Sequence, residues 1–391
     1  MRITFLVERP TQFEAPFFRY VAQAAGTSGD EHELRVLFTG EEVGRPVFDP
    51  ELGQEIAWGF DLLAGYPHAI VPARGRGRWL ARAISRESCD LLIVNGYTRW
   101  VYLLAAALAR RAGVPTALRL DSVLWDAAAG PGRGKPLLFS LLLLPLFDLF
   151  LGVGTLTLDY LTACGVPAER RGLFPYAVDV EHFRAASHLG ADERAAARER
   201  LGMPAGSNGA KAVLAVAKLA PREAPWDLLR ALPFLPGDVR LLLAGDGPAR
   251  ADLERLAAEL GPDRVRFLGY VPYGELPALY AAADLFVHPV REERWGVSVA
   301  EALACGLPVV TSSRVGAAHD LVIPGGNGAV YPAGEPRQLA QCIAEALALD
   351  PGRIAATSRA VLARWDYPAA WRSLAEATAR ALGPLSGDLA G

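Results

Sequence analysis

The sequence predicts an α/β protein that contains two doubly wound parallel sheets. Short, β-rich apolar runs alternate with helical stretches along the whole 391-residue chain. The runs are apolar almost throughout, not at every second position, which is typical of parallel strands covered by helices on both faces of a sheet. At about 100–200 residues per domain, the length favours two domains.

The predicted elements fall into two sets along the chain. The strands of the first set are 2–7, 33–38, 91–95, 115–120 and 149–153, and its helices include 17–25 and 101–112. The strands of the second set are 212–217, 239–244, 265–267, 285–288 and 308–312. The helices of the second set include 249–260, 276–283, 297–305 and 336–349. Apolar runs of this length bounded by turn residues are typical strand signals.

A polar segment separates the two sets and marks the domain boundary. The first set ends with Pro-Tyr-Ala-Val-Asp-Val-Glu-His-Phe at 175–183, and an Arg- and Glu-rich stretch at 188–200 precedes the second. We therefore predict one domain over 1–180, a second over 181–364 and a terminal helical region over 365–391. Ligands of doubly wound sheets bind at the carboxyl ends of the strands.

Composition excludes several classes of protein. The chain has 40 lysine and arginine residues against 43 aspartate and glutamate residues, so no basic excess drives nucleic-acid binding. Four cysteines lie far apart, without the spacing of a disulfide scaffold or a zinc site, and no Asp-x-Asp metal motif occurs. The first apolar run, 3–7, is shorter than the core of a secretion signal. We expect a cytoplasmic protein without a metal or other cofactor.

The segment 288–310 carries the strongest chemical signal. A predicted strand ends at His288, and a charged loop leads to Gly296, which begins a helix. Glycine lets a ligand approach the unpaired amides at the start of this helix, and the helix dipole favours a phosphate there. Glu293 and Glu301 lie on either side of these amides, and carboxylates can accept hydrogen bonds from sugar hydroxyls. The alternative is a solvated loop followed by one exposed helix glutamate.

This segment resembles glycosyltransferase family 4, the retaining nucleotide-sugar transferases of the GT-B fold. The resemblance rests on the Glu-x7-Glu pattern from Glu293 to Glu301, followed by Gly306-x-Pro308-Val-Val. Further agreement lies in Leu-Ala-Gly-Asp-Gly-Pro (243–248), Phe-Leu-Gly-Tyr-Val-Pro (267–272) and the run 276–289. It implies two Rossmann-like domains facing a central cleft, the first for the acceptor and the second for the nucleotide sugar. It also implies that 365–391 crosses back to the first domain.

The resemblance assigns roles around the donor. It implies that Glu293 holds the sugar and Glu301 the ribose, with the diphosphate on the backbone amides of the helix start. The remaining residues that it places at the donor are Gly296, Val297, Ser298, Tyr270, Val271, Gly245 and Gly247. The Gly245 and Gly247 segment also fits a tight strand-to-helix turn.

The cations that the family places on the diphosphate differ in this sequence. Lys218 stands where the family has arginine, and Glu223 stands where it has lysine. Arg222 lies beside that position, and we expect it to reach the diphosphate. The alternative is that Lys218 and Arg222 are surface charges.

The first domain lacks the histidine that the family often has after a central strand. The strand here ends Leu-Arg-Leu-Asp-Ser, and we hypothesise that Arg119, Asp121 and Ser122 replace the histidine near the transferred sugar or the acceptor. The alternative is that Asp121 and Ser122 are turn or cap residues. Gln12 and Phe13, in the loop after the first strand, are also expected on the acceptor side.

Two segments suggest contact with a membrane or an anionic acceptor. The first is a run of arginines without an acid: Arg74, Arg76, Arg78, Arg82 and Arg86. The last three are four residues apart, which predicts one helix face, either solvated or in contact with anionic headgroups or a pyrophosphate-linked acceptor. The second is the apolar stretch 137–147, which is too short to span a bilayer. It predicts a buried or half-buried helix, or a helix whose apolar face rests on lipid.

Together these features predict a metal-independent retaining glycosyltransferase of the hexosyltransferase type. Its donor is a nucleotide diphosphate sugar, and its acceptor is a glycan, a lipid-linked saccharide or a small molecule. Two alternatives remain: a GT-B nucleotide-sugar epimerase, which needs no acceptor, and a non-catalytic protein that binds a sugar nucleotide. A peripheral position on the inner face of the membrane is kept as an alternative to a free cytoplasmic one.

Overall fold

The structure, a computed structural model, describes residues 1–27, 32–40, 43, 47–49, 54–56, 60–126, 134–203 and 209–383. The chain divides into two compact units. The first contains Met1–Arg45, Asp61–Ala177 and Trp365–Gly391, and the second contains Pro46–Phe60 and Val178–Arg364. Each unit is built around its own sheet.

Strands and helices alternate through both units. The strands are β1 (Arg2–Val7), β2 (Glu33–Phe38), β3 (Val47–Asp49), β4 (Gln54–Ile56), β5 (His68–Ile70), β6 (Leu91–Asn95), β7 (Thr116–Leu120), β8 (Leu149–Gly152), β9 (Arg171–Leu173), β10 (Lys211–Val216), β11 (Val239–Ala244), β12 (Val265–Gly269), β13 (Leu285–His288), β14 (Val309–Ser312) and β15 (Gly328–Tyr331).

The helices follow the same chain order. They are α1 (Glu14–Thr27), α2 (Arg76–Ala83), α3 (Trp100–Ala112), α4 (Gly134–Leu143), α5 (Thr155–Ala163), α6 (Val180–Ala186), α7 (Ala191–Arg200), α8 (Pro225–Ala231), α9 (Arg250–Leu260), α10 (Leu276–Ala282), α11 (Val297–Ala304), α12 (Gly316–Leu321), α13 (Pro336–Leu347), α14 (Pro351–Leu362) and α15 (Tyr367–Leu382).

The first unit has a seven-stranded sheet in the order β5-β2-β1-β6-β7-β8-β9, and every pair of neighbours is parallel. The chain begins in the middle, builds one side as far as β5 and then crosses back to β6. The order therefore reverses between β1 and β6, and ligands of such sheets bind at the carboxyl ends of strands near that reversal.

The second unit repeats this plan with six parallel strands in the order β12-β11-β10-β13-β14-β15. Its reversal lies between β10 and β13, which pair with Val213 opposite Leu285 and Leu214 opposite Phe286. The segments that follow these two strands therefore begin side by side, although about 70 residues separate them in sequence.

The ten predicted strands and six predicted helices are confirmed to within a few residues. The prediction missed β5, β9 and β15, which are only three or four residues long, and the antiparallel pair β3–β4. Two helix predictions need correction. Helix α4 ends at Leu143, because the residue before Pro145 disfavours helical backbone. Helix α2 ends at Ala83, so Arg86 does not lie on the face of this helix. Nη2 of Arg86 instead donates to the Gly113 carbonyl at 2.8 Å.

Helix α15 belongs to the first unit and covers its last strand. Its start is capped by the Asp366 side chain, which accepts a hydrogen bond from the Ala369 amide at 2.8 Å. A side chain on Gly172 in β9 would lie 2.3 Å from the Cβ of Ala377, so helix and strand touch where glycine leaves room. The ring of Tyr367 packs against Phe17 with 5.6 Å between centroids. These contacts join the end of the chain to α1 and the sheet of this unit.

Candidate functional site

The candidate site of the second unit forms where β10 and β13 end beside each other. β13 ends at His288, and the loop that follows leads to the start of α11 at Val297. The loop after β10 contains Lys218, Arg222 and Glu223. Sheet order thus brings together two segments that the sequence analysis treated as parts of one donor site.

The contact at the centre of this cluster joins His288 and Glu293. His288 is buried, and its Nε2 hydrogen-bonds Oε2 of Glu293. Burial alone would lower the pKa of His288, but the Glu293 carboxylate raises it above its ordinary value. Burial likewise opposes ionisation of Glu293, yet His288 and, more weakly, Arg222 bring its pKa below the usual range. Each group therefore favours the charged form of the other.

The loop that carries Glu293 is fixed by backbone contacts to the segment after β14. The Glu293 amide donates to the Arg314 carbonyl, and the Glu293 carbonyl accepts from the Gly316 amide, both at 2.9 Å. A side chain on Gly316 would meet the Arg294 carbonyl oxygen at 1.9 Å, so only glycine permits this approach. The Glu293 side chain keeps 29% exposure, which leaves its carboxylate open to a ligand.

Helix α11 begins beside this carboxylate with unprotected amides. Gly296 precedes it with φ of 103°, a left-handed conformation that favours glycine, and no side chain caps the helix. The first turn of α11 contains no acidic residue. Ser298 lies near the pair, with its Oγ 3.5 Å from Nδ1 of His288. Since the first amides of a helix have no partner within it, this end of α11 suits an anion.

The loop after β10 adds charge of both signs. Nη2 of Arg222 lies 2.5 Å from Oε1 of Glu223, and 54% of the Arg222 side chain is exposed whereas Glu223 is buried. Burial raises the pKa of Glu223, and the nearby Glu293 carboxylate adds to this against the opposing effects of Arg222, His288 and Lys218. Arg222 is therefore an exposed cation paired with a carboxyl whose ionisation burial disfavours.

Glu301 occupies a more enclosed position than its predicted contact with ribose suggests. Its side chain is buried between α10 and α11, and its Oε2 accepts a hydrogen bond from the Tyr280 hydroxyl at 3.2 Å. Burial raises the pKa of Glu301 to about 7, although hydrogen bonds from Tyr280 and Tyr273 act in the opposite direction. Glu301 thus links the two helices, and its contact with a ribose stays a prediction.

The other residues predicted at the donor divide into two groups. Tyr270 follows the edge strand β12 with 38% exposure, and Val271 beside it is half-buried, so both stand at the carboxyl end of the sheet. Gly245 and Gly247 have a packing role instead. A side chain on Gly245 would meet the Ala217 carbonyl oxygen at 1.9 Å, and one on Gly247 would meet the Leu219 carbonyl oxygen at 2.6 Å. These glycines let the loops after β10 and β11 touch.

In the first unit, Arg119 is held by protein groups on every side. It is buried, and its Nη1 bonds Oε1 of Glu14 at 3.0 Å while Nε donates to the Phe174 carbonyl at 3.1 Å. Its Nη2 donates to the Pro175 carbonyl. The guanidinium also lies 4.4 Å from the centre of the Tyr176 ring. This geometry assigns Arg119 to positioning segment 174–176, which differs from the predicted contact with a sugar.

The remaining acceptor-side residues lie around this ion pair. Ser122 is half-buried, and its Oγ lies 3.1 Å from the Tyr97 hydroxyl. Asp121, also half-buried, adds to the charges that support the ionised form of Arg119. Phe13 packs edge-on against Tyr176 with 5.2 Å between centroids, and Gln12 beside it is half-buried. All four lie at the carboxyl end of the first sheet, where their contact with an acceptor stays a prediction.

Sequence reasoning missed three side chains that hold these sites. His288 was not among the predicted site residues, although it ends a strand five residues before Glu293. Glu14 follows the first strand, and its partner Arg119 lies 105 residues later in the chain. Tyr280 lies 21 residues from Glu301. Only His288 had a local signal, namely its place at a strand end beside the charged loop.

Comparison with known proteins finds similarity mainly in the second unit. Residues 204–360 match the family model described as Glycosyl transferases group 1. A D-inositol 3-phosphate glycosyltransferase from Thermobispora bispora is 38% identical over 232 residues, which cover 55% of this chain and 52% of that protein. A GDP-mannose-dependent alpha-(1-6)-phosphatidylinositol monomannoside mannosyltransferase from Mycolicibacterium smegmatis is 35% identical over 200 residues, which cover 47% and 51%. The chain spans about half the length of these curated relatives.

Solved structures match over nearly the whole chain and establish the fold. A glycosyltransferase from Rickettsia africae gives a TM-score of 0.74 with 14% identity, covering 98% of this chain and 99% of that chain. Anabaena Alr3699/HepE, solved in complex with UDP, gives 0.72 with 21% identity, covering 96% and 99%. These likenesses, with the two parallel sheets, confirm the predicted GT-B fold class.

The raised pKa of Glu301 predicts a pH dependence of stability. Its carboxyl titrates at about 7 in the folded protein and near 4.5 when unfolded, so the folded state retains the proton between these values. This contribution to stability is present below the lower value and is lost as pH rises through the upper one, by on the order of 3 kcal/mol. E301Q cannot ionise, so we expect its melting temperature to fall less than that of the wild type from about pH 5 to about pH 8. The matched variant E254Q changes an exposed carboxyl and should follow the wild type, whereas parallel curves for E301Q and wild type would contradict this assignment.

The buried pair of Arg119 and Glu14 predicts a large loss of stability when one partner is removed. R119M leaves the Glu14 carboxyl buried without its cation, which should cost about 3–5 kcal/mol of the unfolding free energy in urea titrations. E14Q/R119M removes the uncompensated charge and should recover part of this loss. D121N, which changes a neighbouring half-buried carboxyl, should stay within about 0.5 kcal/mol of the wild type. If R119M is as stable as D121N, the guanidinium is not engaged as the structure indicates.

Proposed function

We propose that the chain is a retaining glycosyltransferase that uses a nucleotide diphosphate sugar, and the match of residues 204–360 to the Glycosyl transferases group 1 model supports this. The observation that carries this proposal is the His288–Glu293 pair beside the uncapped start of α11. It combines a sugar-binding carboxylate with a site for phosphate. The acceptor receives the sugar with retention of the anomeric configuration, as the family resemblance implies.

The diphosphate of the donor fits the start of α11. In this proposal the amides of Val297 and Ser298 bind phosphate oxygens, and Arg222, whose side chain is 54% exposed, supplies a cation from the loop after β10. Lys218 adds a second positive charge from the same loop. Charge that develops on the leaving phosphate during transfer is stabilised by these groups, which are in place before the reaction begins. None of these steps uses a metal ion.

Glu293 holds the donor sugar and His288 fixes Glu293. The carboxylate, whose pKa lies below the usual range, is partly exposed, and His288 holds one of its oxygens, so it can accept hydrogen bonds from sugar hydroxyls. Glu293 in turn raises the pKa of His288, which favours a positive charge near the diphosphate. In the reaction that we propose, the acceptor hydroxyl attacks the anomeric carbon on the face of the leaving group, and its proton passes to the leaving phosphate.

Glu223 is compatible with diphosphate binding because burial disfavours its negative charge. Burial raises its pKa, and Arg222 pairs with it at 2.5 Å. Glu223 still stands where the family pattern has a lysine, so this loop carries one cation fewer than the pattern. That difference favours a second candidate function, a protein that binds a nucleotide sugar without transferring it.

The acceptor in this proposal is a small molecule or a lipid-linked saccharide. The names of the two curated relatives specify D-inositol 3-phosphate in one case and phosphatidylinositol monomannoside in the other. Asp121, Ser122, Gln12 and Phe13 are the candidates to contact it from the first unit. Donor identity is to be found by thermal-shift screening with nucleoside diphosphates and their sugars.

Glu293 and its neighbour Glu292 provide a matched pair for testing this function. E293Q keeps the shape of the side chain and removes its charge, so we expect release of nucleoside diphosphate from the donor to fall by about 100-fold or more. E292Q changes a glutamate that pairs with Arg314 at 2.7 Å and should turn over like the wild type. The measurement is nucleoside diphosphate release with the donor that gives the largest thermal shift.

Two outcomes would contradict the proposal. If E293Q and E292Q turn over equally fast, Glu293 does not hold the donor. If the wild type binds nucleotide sugars but releases no nucleoside diphosphate with any acceptor tested, the second candidate function is the correct one.

A further inference from the structure

Helix α4 exposes four leucines in one patch. Leu137, Leu138, Leu141 and Leu142 are 58–65% exposed. Leu138, Leu141 and Leu142 follow Leu137 by one, four and five residues, which places the four side chains together on the outer side of the helix. The inner side carries Phe139 and Leu143, which are buried in the core of the first unit. Single exposed leucines are common on proteins, but a contiguous patch of this kind marks an interaction surface.

Helices α2, α3 and α4 lie on the same side of the first sheet. Each connects parallel strands in the direction from β5 towards β8, and right-handed connections in one direction place their helices on one face. One core cluster contains Leu80 of α2, Val101 of α3 and Phe139 of α4, as this arrangement requires. The outer surfaces of these helices therefore form a common surface, which we call the α2–α4 face.

The α2–α4 face is basic as well as apolar. The sequences of α2, α3 and α4 contain no aspartate or glutamate, although acids outnumber bases in the whole chain. Arg78 and Arg82 are exposed on α2. Trp100, at the start of α3, is 64% exposed, and the Arg76 guanidinium lies 5.6 Å from its ring centre. Tryptophan and arginine are both favoured where an apolar phase meets water.

We propose that the α2–α4 face binds the surface of an anionic lipid bilayer. The leucines of α4 enter the boundary between headgroups and acyl chains, and the arginines of α2 contact lipid phosphates. The contact that we propose is peripheral. Among the residues that the structure describes, none of the helices has the length and apolar character of a membrane span. A second copy of the chain fits this face less well. In a symmetric contact the arginines of one copy would face the arginines of the other, with no acidic residue of these helices between them.

Binding to vesicles tests this proposal and separates its two parts. We expect the wild type to float with vesicles that contain about 30% phosphatidylglycerol in phosphatidylcholine at low salt. L137Q/L138Q/L141Q/L142Q should bind at least about ten-fold more weakly, because glutamine cannot enter the apolar boundary. R78Q/R82Q should lose most of the preference for anionic over purely zwitterionic vesicles, along with its salt dependence.

Matched variants control for general effects of the substitutions. I323Q removes an exposed apolar side chain from the second unit, and R255Q removes an exposed arginine there. Both should bind vesicles like the wild type. Circular dichroism and thermal melting should show that every variant is folded, which is expected because the changed side chains are exposed.

Three results would overturn the proposal. The first is a wild type that does not float with anionic vesicles at low salt. The second is a leucine variant that floats as well as the wild type. The third is a dimer in sedimentation velocity that the leucine variant dissociates, without any vesicle binding by the wild type, since the occupant is then a second copy. Donor turnover without vesicles uses residues of the second unit, so this test and that of the proposed function fail independently.

Discussion

The candidate site depends on one constraint, the adjacency of β10 and β13 in a parallel sheet. Because the sheet reverses its order there, the charged loop after one strand meets the histidine and the glutamate that follow the other. His288 then holds Glu293 at the start of α11, and each group favours the charged form of the other although burial opposes both charges. A carboxylate that was not paired in this way would lose charge or turn towards solvent. The same contact therefore positions Glu293 and favours its charge, as the proposed role in holding a sugar requires.

The two units use similar sheets but distribute their cations differently. In the first unit Arg119 contacts Glu14, two backbone carbonyls and an aromatic ring, so it stabilises the fold at the end of β7. In the second unit Arg222 pairs with Glu223, a carboxyl whose ionisation burial disfavours, and 54% of the Arg222 side chain stays exposed. An exposed cation of this kind can still reach a diphosphate, which is why we assign the diphosphate to the second unit. In the first unit the exposed arginines Arg78 and Arg82 lie on α2, one of the helices that cover the sheet.

Local patterns predicted most of the strands and the helix that follows Gly296. They succeeded because apolar runs and glycine-initiated helices are encoded within a few neighbouring residues. The predictions for Arg119, Gly245 and Gly247 were incomplete for the opposite reason. The partner of Arg119 lies 105 residues away, and the two glycines are needed because a separate loop passes close to them. These contacts arise from the order of the strands in each sheet, and that order cannot be read from local patterns in a single sequence. Arg86 shows a third limit, since helix periodicity was extended beyond the real end of α2.

Hydrogen exchange with and without a nucleoside diphosphate tests the central claim most directly, because it reports on the amides assigned to the phosphate. The account predicts slower exchange in peptides that cover 293–300 when the nucleotide is added, with no change in peptides that cover 351–362 of α14. Protection that appears elsewhere in the chain while the start of α11 exchanges at its original rate would contradict it.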